Sequence, residues 1–145
     1  MNIKLKRIND AVHLRAENEQ GNIVDIDGSE AVGGEGKGAR PMQLLLMGLG
    51  GCSSMDLLSI LKKQKVVLED FNIDINAERD TENTPSLFTK INIEFQFKGE
   101  IGEKELKKIN RATSLSMDKY CSVSKIMEKT ADITYSISIN GELVD

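Results

Sequence analysis

Tryptophan is absent from this chain, and the other residues that commonly bind bases or metals are scarce. Its 145 residues include two tyrosines, one histidine and two cysteines. With so few aromatic rings, the chain has little with which to stack on nucleic-acid bases. Its 19 basic and 23 acidic residues give a formal charge of −4, and the basic residues are spread rather than clustered. The basic stripe that binds nucleic acid or an anionic membrane is therefore missing, and we expect neither partner.

Ligands for a metal or a nucleotide are lacking in the same way. One histidine, His13, and two widely separated cysteines do not make a protein-built zinc site. Because His13 lies at a polar position of an alternating strand, we expect a solvated side chain. The glycine-rich segment 33–38 predicts a loop, and it resembles a phosphate loop only in part. Ala31 and Gly38 stand where that motif has a glycine and a hydroxyl residue, so we expect no metal and no bound cofactor.

The N-terminal residues are basic, but no apolar segment with a small-residue cleavage site follows them. We therefore expect a cytoplasmic protein. In that reducing compartment both thiols stay free at rest, and a bridge between them would be transient rather than structural. Repeats, linkers and low-complexity segments are missing, so we assign residues 1–145 to a single domain. At this size a partner subunit often completes the core.

The apolar pattern predicts an α+β domain. Alternating residues predict six strands, at 3–5, 12–16, 23–26, 71–77, 91–97 and 133–139. Helical spacing predicts a long helix from Pro41 to about Lys65, a second helix from Glu103 and a short third helix that carries Cys121. The strands at 71–77 and 91–97 form the clearest hairpin.

The long helix has apolar side chains on nearly every face, so we expect a central helix buried on all sides. Asp56 interrupts its apolar run, which is too short for a bilayer. Gly48, Gly50 and Gly51 each cost this helix about 0.8–1 kcal/mol relative to alanine. Either another backbone approaches closely here, such as the same helix of a second subunit, or the glycines leave room for a substrate beside Cys52.

The two cysteines lie in unusual segments, Leu-Gly-Gly-Cys-Ser-Ser around Cys52 and Lys-Tyr-Cys-Ser-Val-Ser around Cys121. Each segment is predicted to be helical, where a thiol can be screened from water and activated by its neighbours. Such a pair suggests redox chemistry. Two inert buried cysteines are the alternative, because free cysteine is among the most buried residue types.

These segments resemble the OsmC/Ohr family of thiol-dependent peroxidases, which reduce organic hydroperoxides. The resemblance covers the whole order of elements. It is sharpest at Tyr120–Ser124 and at Pro41, which lies eleven residues before Cys52 as in the family. It implies an OsmC-like fold, with antiparallel sheets wrapped around a long central helix in an intertwined homodimer. It also implies a peroxidatic Cys52, a resolving Cys121, a dithiol reductant and a role in oxidative-stress defence.

Two departures from the family pattern concern activation of the thiolate. Met42 stands where family peroxidases have a glutamate that pairs with an arginine, and the usual arginine is also missing. Arg40 and Arg15 are the remaining candidates to lower the pKa of Cys52, while Met42 and Tyr120 are candidate pocket residues. The pattern looks closer to the YhfA-type branch of the family. The alternative to a peroxidase is therefore a dimer that binds a small apolar ligand at the subunit interface.

Overall fold

The structure is a computed structural model that describes residues 1–144. Its internal contacts divide the chain into two compact units, residues 1–47 and the part from Gly48 onward. The division falls inside the long helix. The assignment of residues 1–145 to a single domain stays a prediction.

The first unit holds a three-stranded antiparallel sheet. Its strands are β1 (Ile3–Arg7), β2 (Leu14–Asn18) and β3 (Ile23–Ile26), in the order β1-β2-β3. The three short strands expected from the alternation are confirmed. A short 3-10 turn, Glu30–Val32, and the glycine-rich loop follow.

Asp27 fixes that loop. Its carboxylate is buried and accepts hydrogen bonds from the backbone N–H of Gly28 at 2.8 Å, Glu35 at 2.9 Å and Lys37 at 3.0 Å. These bonds, the one from Lys37 first, lower the pKa of Asp27. Gly34 is required because a Cβ at this position would overlap the carbonyl group of Gly28. Gly34 therefore allows close backbone packing in the loop that surrounds this carboxylate.

His13 corrects one expectation, because its side chain is buried and not solvated. Its Nε2 lies 3.0 Å from Oδ1 of Asp25, a residue of β3. Arg15 donates to the same carboxylate from Nε at 3.0 Å and from a terminal nitrogen at 3.1 Å. The pKa of Asp25 is lowered, first by the Arg15 hydrogen bond and then by the one from His13. A buried imidazole is tolerated here because it has this partner.

The second unit contains a four-stranded sheet in the order β4-β5-β6-β7. Its strands are β4 (Asp70–Arg79), β5 (Phe88–Lys98), β6 (Asp132–Ile139) and β7 (Glu142–Val144). The antiparallel β4–β5 hairpin is confirmed. Strands β5 and β6 run parallel, since helices connect them, and β7 is an additional strand that the alternation does not predict.

The helices are α1 (Pro41–Lys63), α2 (Glu103–Leu115) and α3 (Ser122–Met127), with a π-helical turn at Ser116–Tyr120 between the last two. The core of the second unit combines one face of the sheet with these helices. Its fully buried apolar side chains come from α1, β5 and α2: Leu49, Leu57, Leu61, Ile91, Ile93, Phe95, Phe97, Ile109 and Ala112. The mixed α+β architecture is as predicted.

Only one stripe of α1 is buried beyond Gly48, so the expectation of burial on all sides is wrong for the single chain. Leu49, Leu57 and Leu61 lie on this stripe, whereas Met55 is 75% exposed. By length and composition α1 could cross a bilayer, since an 18-residue window has a mean hydropathy of 1.7. Core helices of globular proteins share this property, so it is weak evidence for a membrane. The absence of a membrane partner stays a prediction.

Candidate functional site

The second unit brings Cys52 and Cys121 together, although 68 residues separate them in the sequence. Both are free thiols. Cys52 lies in the middle of α1 and is half-buried, whereas Cys121 is 0% exposed and directly precedes α3. Of the two, Cys52 is therefore the thiol that a molecule from solvent can reach.

The π-helical turn places Cys121. Its N–H donates to the Ser116 carbonyl at 2.8 Å, five residues back, which widens the backbone before α3. Its Sγ accepts a hydrogen bond from the Ser124 N–H at 3.4 Å. The Ser124 hydroxyl donates to the carbonyls of Cys121 at 2.9 Å and Met117 at 3.1 Å. Hydrogen bonds with Ser116 before it and Ser124 after it therefore hold Cys121, through its backbone and its sulfur.

A second buried hydroxyl connects this turn to α1. Ser116 is 0% exposed, and its Oγ donates to the Ser53 carbonyl at 2.8 Å. Ser53 directly follows Cys52 and is itself buried. Its own hydroxyl bonds back within α1, to the carbonyls of Leu49 at 2.9 Å and Gly50 at 3.2 Å. The segments that carry the two cysteines are therefore joined by a side-chain hydrogen bond.

Burial raises the pKa of the Cys121 thiol, and the neighbouring Cys52 thiol adds to the rise. The hydrogen bond from the Ser124 N–H opposes it, because an N–H donor stabilises a thiolate. Cys121 therefore stays protonated at neutral pH. A buried, protonated thiol is a poor nucleophile toward solvent species, since the thiolate is the reactive form.

Of the three helix glycines, only Gly50 approaches another element. A Cβ at Gly50 would lie 3.1 Å from the Cδ1 of Ile75 on β4, a side-chain contact rather than a backbone one. A Cβ at Gly48 or Gly51 would meet no atom within 4 Å in the described part of the chain. The space beside these two glycines is therefore open within one chain.

The candidate thiolate activators lie in the first unit. The guanidinium of Arg15 is bonded to Asp25, as described above. Arg40 is exposed, and its backbone N–H donates to Oε1 of Gln43 at 2.9 Å, which caps the start of α1. The catalytic roles of both arginines stay predictions.

The candidate pocket residues are Met42 and Tyr120. Met42 is half-buried in the first turn of α1. Tyr120 is 47% exposed at the end of the π-helical turn, with Nζ of Lys119 at 5.4 Å from the centre of its ring. Their roles as pocket residues stay predictions.

Three buried serines near the cysteines, Ser53, Ser116 and Ser124, are not predicted from the sequence. The spacing of Cys121 and Ser124 is that of a helix cap and its third residue, a signal that could have identified Ser124. Ser53 and Ser116 are 63 residues apart and carry no local signal. Among residues 1–144, no group of three His, Cys, Asp or Glu side chains is placed to hold a metal.

The fold and the site define an α+β protein with paired free thiols, one within reach of solvent and one buried. A family model described as "OsmC-like protein" matches residues 34–136. Protein YhfA of Escherichia coli (strain K12) is 37% identical over 125 residues, which are 85% of this chain and 87% of that protein. The chain belongs to the OsmC-like family, and the resemblance to its YhfA-type branch is confirmed.

Solved structures support the same fold. A hypothetical protein from Aquifex aeolicus VF5 is 28% identical with a TM-score of 0.76, and the match covers 96% of each chain. An organic hydroperoxide resistance protein OsmC from Legionella pneumophila has a TM-score of 0.65 over 95% of this chain and 97% of its own. At 18% identity, the Legionella protein shows the shared fold alone.

Proposed function

We propose that this OsmC-like protein is a thiol-dependent peroxidase that reduces organic hydroperoxides through Cys52 and Cys121. The observation that carries the proposal is the placement of a half-buried thiol next to a fully buried one. This arrangement gives the peroxide access to one sulfur and keeps the second sulfur nearby but protected.

The proposed reaction has two steps before reduction. The Cys52 thiolate attacks a peroxide oxygen and breaks the O–O bond, the alkoxide takes up a proton to become the alcohol, and Cys52 becomes a sulfenic acid. Cys121 then attacks the Cys52 sulfur, which forms the disulfide and releases water. A dithiol reductant restores both thiols by exchange. In this scheme the protein serves in oxidative-stress defence in the cytoplasm.

Arg40 and Arg15 are the candidate cations for activating the Cys52 thiolate. The Arg15 guanidinium is already bonded to Asp25 through two hydrogen bonds. A guanidinium that is neutralised in this way has less electrostatic effect on other groups. Met42 stands in place of the family's glutamate, and Met42 and Tyr120 are each kept as candidate pocket residues.

The peroxidase works as a homodimer. Met55 and Leu58 are exposed on α1 in the second unit, and the first unit exposes large apolar side chains on its strands and turns: Ile3, Leu5, Ile23, Val24 and Val32. All fully buried apolar side chains within residues 1–144 belong to the second unit. Exposed apolar surface on this scale is typical of a protein that is completed by a partner.

A binding function is the second candidate. The carboxylate of the family's Glu–Arg pair is missing at Met42, and exposed apolar residues of α1 offer a surface for a small apolar ligand. In this alternative the dimer is kept, and the two cysteines only line its interfacial pocket. The two functions differ in whether a hydroperoxide oxidises the thiols.

The test uses the fully reduced protein and one equivalent of cumene hydroperoxide. Intact mass and alkylation of free thiols are measured for the wild type, Cys52→Ser and Cys121→Ser. The wild type is expected to lose two hydrogens and both thiols. Cys52→Ser should not react, and Cys121→Ser should stop at a sulfenic acid that dimedone traps. An unchanged mass with two free thiols would contradict the peroxidase and favour the apolar ligand.

A further inference from the structure

One buried hydroxyl in the second unit makes a bond that its position in a helix does not require. Serine and threonine inside helices commonly donate to a carbonyl of their own helix. Thr113 does so, with Oγ1 at 2.9 Å from the Ile109 carbonyl. Ser116 instead donates to the Ser53 carbonyl of α1, at 2.8 Å and with no exposed surface.

The same residue also binds Cys121. The Ser116 carbonyl accepts the Cys121 N–H at 2.8 Å, while the Ser116 N–H bonds to the carbonyls of Ala112 and Thr113. Two hydrogen bonds therefore lead from the backbone of Cys121 through Ser116 to the residue that follows Cys52. The link joins the two segments that carry the cysteines and involves neither sulfur.

We propose that Ser116 is a positioning residue for disulfide formation, because its hydroxyl holds the turn before Cys121 against the helix that carries Cys52. The inference rests on the proposed function and concerns the fate of its sulfenic acid. Attack by Cys121 converts the sulfenic acid to a disulfide and releases water. Attack on a second hydroperoxide converts it to a sulfinic acid and releases a second alcohol. Ser116 favours the first outcome.

Geometry decides between these outcomes because a disulfide has narrow tolerances. Its Cβ atoms must lie about 3.5–4.5 Å apart, so a small shift of the turn slows bond formation. The competing reaction with a second hydroperoxide needs access only to Cys52. Loss of the Ser116 hydroxyl should therefore change the partition between products without changing the first oxidation of Cys52.

The experiment compares wild type, Ser116→Ala, Ser116→Thr and Thr113→Val, after thermal melts confirm that each is folded. Each reduced protein receives one to twenty equivalents of cumene hydroperoxide. Mass spectrometry of Cys52 peptides then gives the ratio of disulfide to sulfinic acid, and the first oxidation is timed by peroxide consumption. Thr113→Val is the matched control, because it removes a buried hydroxyl that bonds only within α2.

Ser116→Ala is expected to lower the ratio of disulfide to sulfinic acid on the order of 10-fold, since a misplacement of about 1 Å can cost 100-fold in rate. The rate of first oxidation of Ser116→Ala should match that of the wild type. Ser116→Thr and Thr113→Val should match the wild type in both this rate and the product ratio. Three results would overturn the inference but not the proposed function. The ratio of disulfide to sulfinic acid could stay at the wild-type value in Ser116→Ala, it could fall equally in Thr113→Val, or it could fall in folded Ser116→Thr. A wild type that is not oxidised at Cys52 would overturn the proposed function, and the inference with it.

Discussion

Replacing Gly48 and Gly51 by alanine tests how α1 is covered in the working protein. Among residues 1–144, a Cβ at either position meets no atom within 4 Å apart from the nearby backbone of its own helix. Alanine is favoured over glycine inside a helix by about 0.8–1 kcal/mol. An isolated chain should therefore gain about 2 kcal/mol from the double substitution, and about 3–4 °C in Tm per substitution at this size.

The proposed homodimer reverses the sign of the expected change in stability. If the α1 helix of a partner crosses at these glycines, two added methyl groups push the helices apart. We therefore expect the double variant to dissociate at higher concentrations than the wild type and to melt at a lower temperature. Overpacking of this kind typically costs 1–3 kcal/mol.

Sedimentation velocity over a concentration series measures the dimer, and thermal melts at the same concentrations measure stability. Gly50→Ala is the contrast variant, because its Cβ would lie 3.1 Å from Ile75 of the same chain. It should leave the dimer unchanged. An intact dimer with the full gain in Tm would refute a helix crossing at Gly48 and Gly51. An intact dimer that consumes peroxide more slowly would show instead that the glycines make room for substrate.

Three further predictions concern burial. A pulse of iodoacetamide on the native reduced protein should label Cys52 well before Cys121, because Cys121 is fully buried and its pKa is raised; equal labelling in peptide maps would contradict this. Asp27→Asn should lower the Tm at neutral pH, since an amide cannot accept all three N–H groups. The pKa of Asp27 is lowered in the folded state, so its carboxylate stabilises the fold above the unfolded pKa of about 3.9. This stabilisation is lost as the pH falls through the folded pKa. The melting temperatures of the wild type and Asp27→Asn should therefore converge in acid. Leu57→Ala should cost about 2–5 kcal/mol in urea unfolding, because Leu57 is 0% exposed; a loss below 1 kcal/mol would contradict its place in the core.

Periodicity predicts local elements well here, because each strand or helix has its own repeat. The strands before residue 27, the β4–β5 hairpin and the order of the helices all follow from it. It does not give the partner of a strand, so the parallel pairing of β5 with β6 and the short β7 could not be predicted. The burial of α1 was overestimated for a related reason. An apolar helix face indicates that it is buried, but not whether the residues that bury it belong to the same chain.

The site was predictable only in part. Unusual sequence around the two cysteines identified them, and the family resemblance brought them together. The alternation predicts a solvated His13 because it gives no information on Asp25. This carboxylate lies twelve residues away and provides the hydrogen-bond partner that the buried imidazole needs. The hydrogen bond between Ser116 and Ser53 could not be predicted from the sequence either, since the hydroxyl of a serine in a helix can bond to several different acceptors.

Burial of Cys121 has two consequences that oppose each other. In the proposed reaction it shields this thiol from peroxide, so that Cys52 is oxidised first. It also raises the pKa of Cys121 and so lowers the fraction of thiolate that can attack the sulfenic acid. A slow resolving thiol gives a second hydroperoxide more time to react with Cys52. Close placement of the two sulfurs offsets this loss, because proximity raises the rate of attack without a change in pKa. In a chain with Met42 in place of the family's glutamate, we therefore expect the proposed reaction to depend more on the hydrogen bonds that position the two segments than on charges around the thiols.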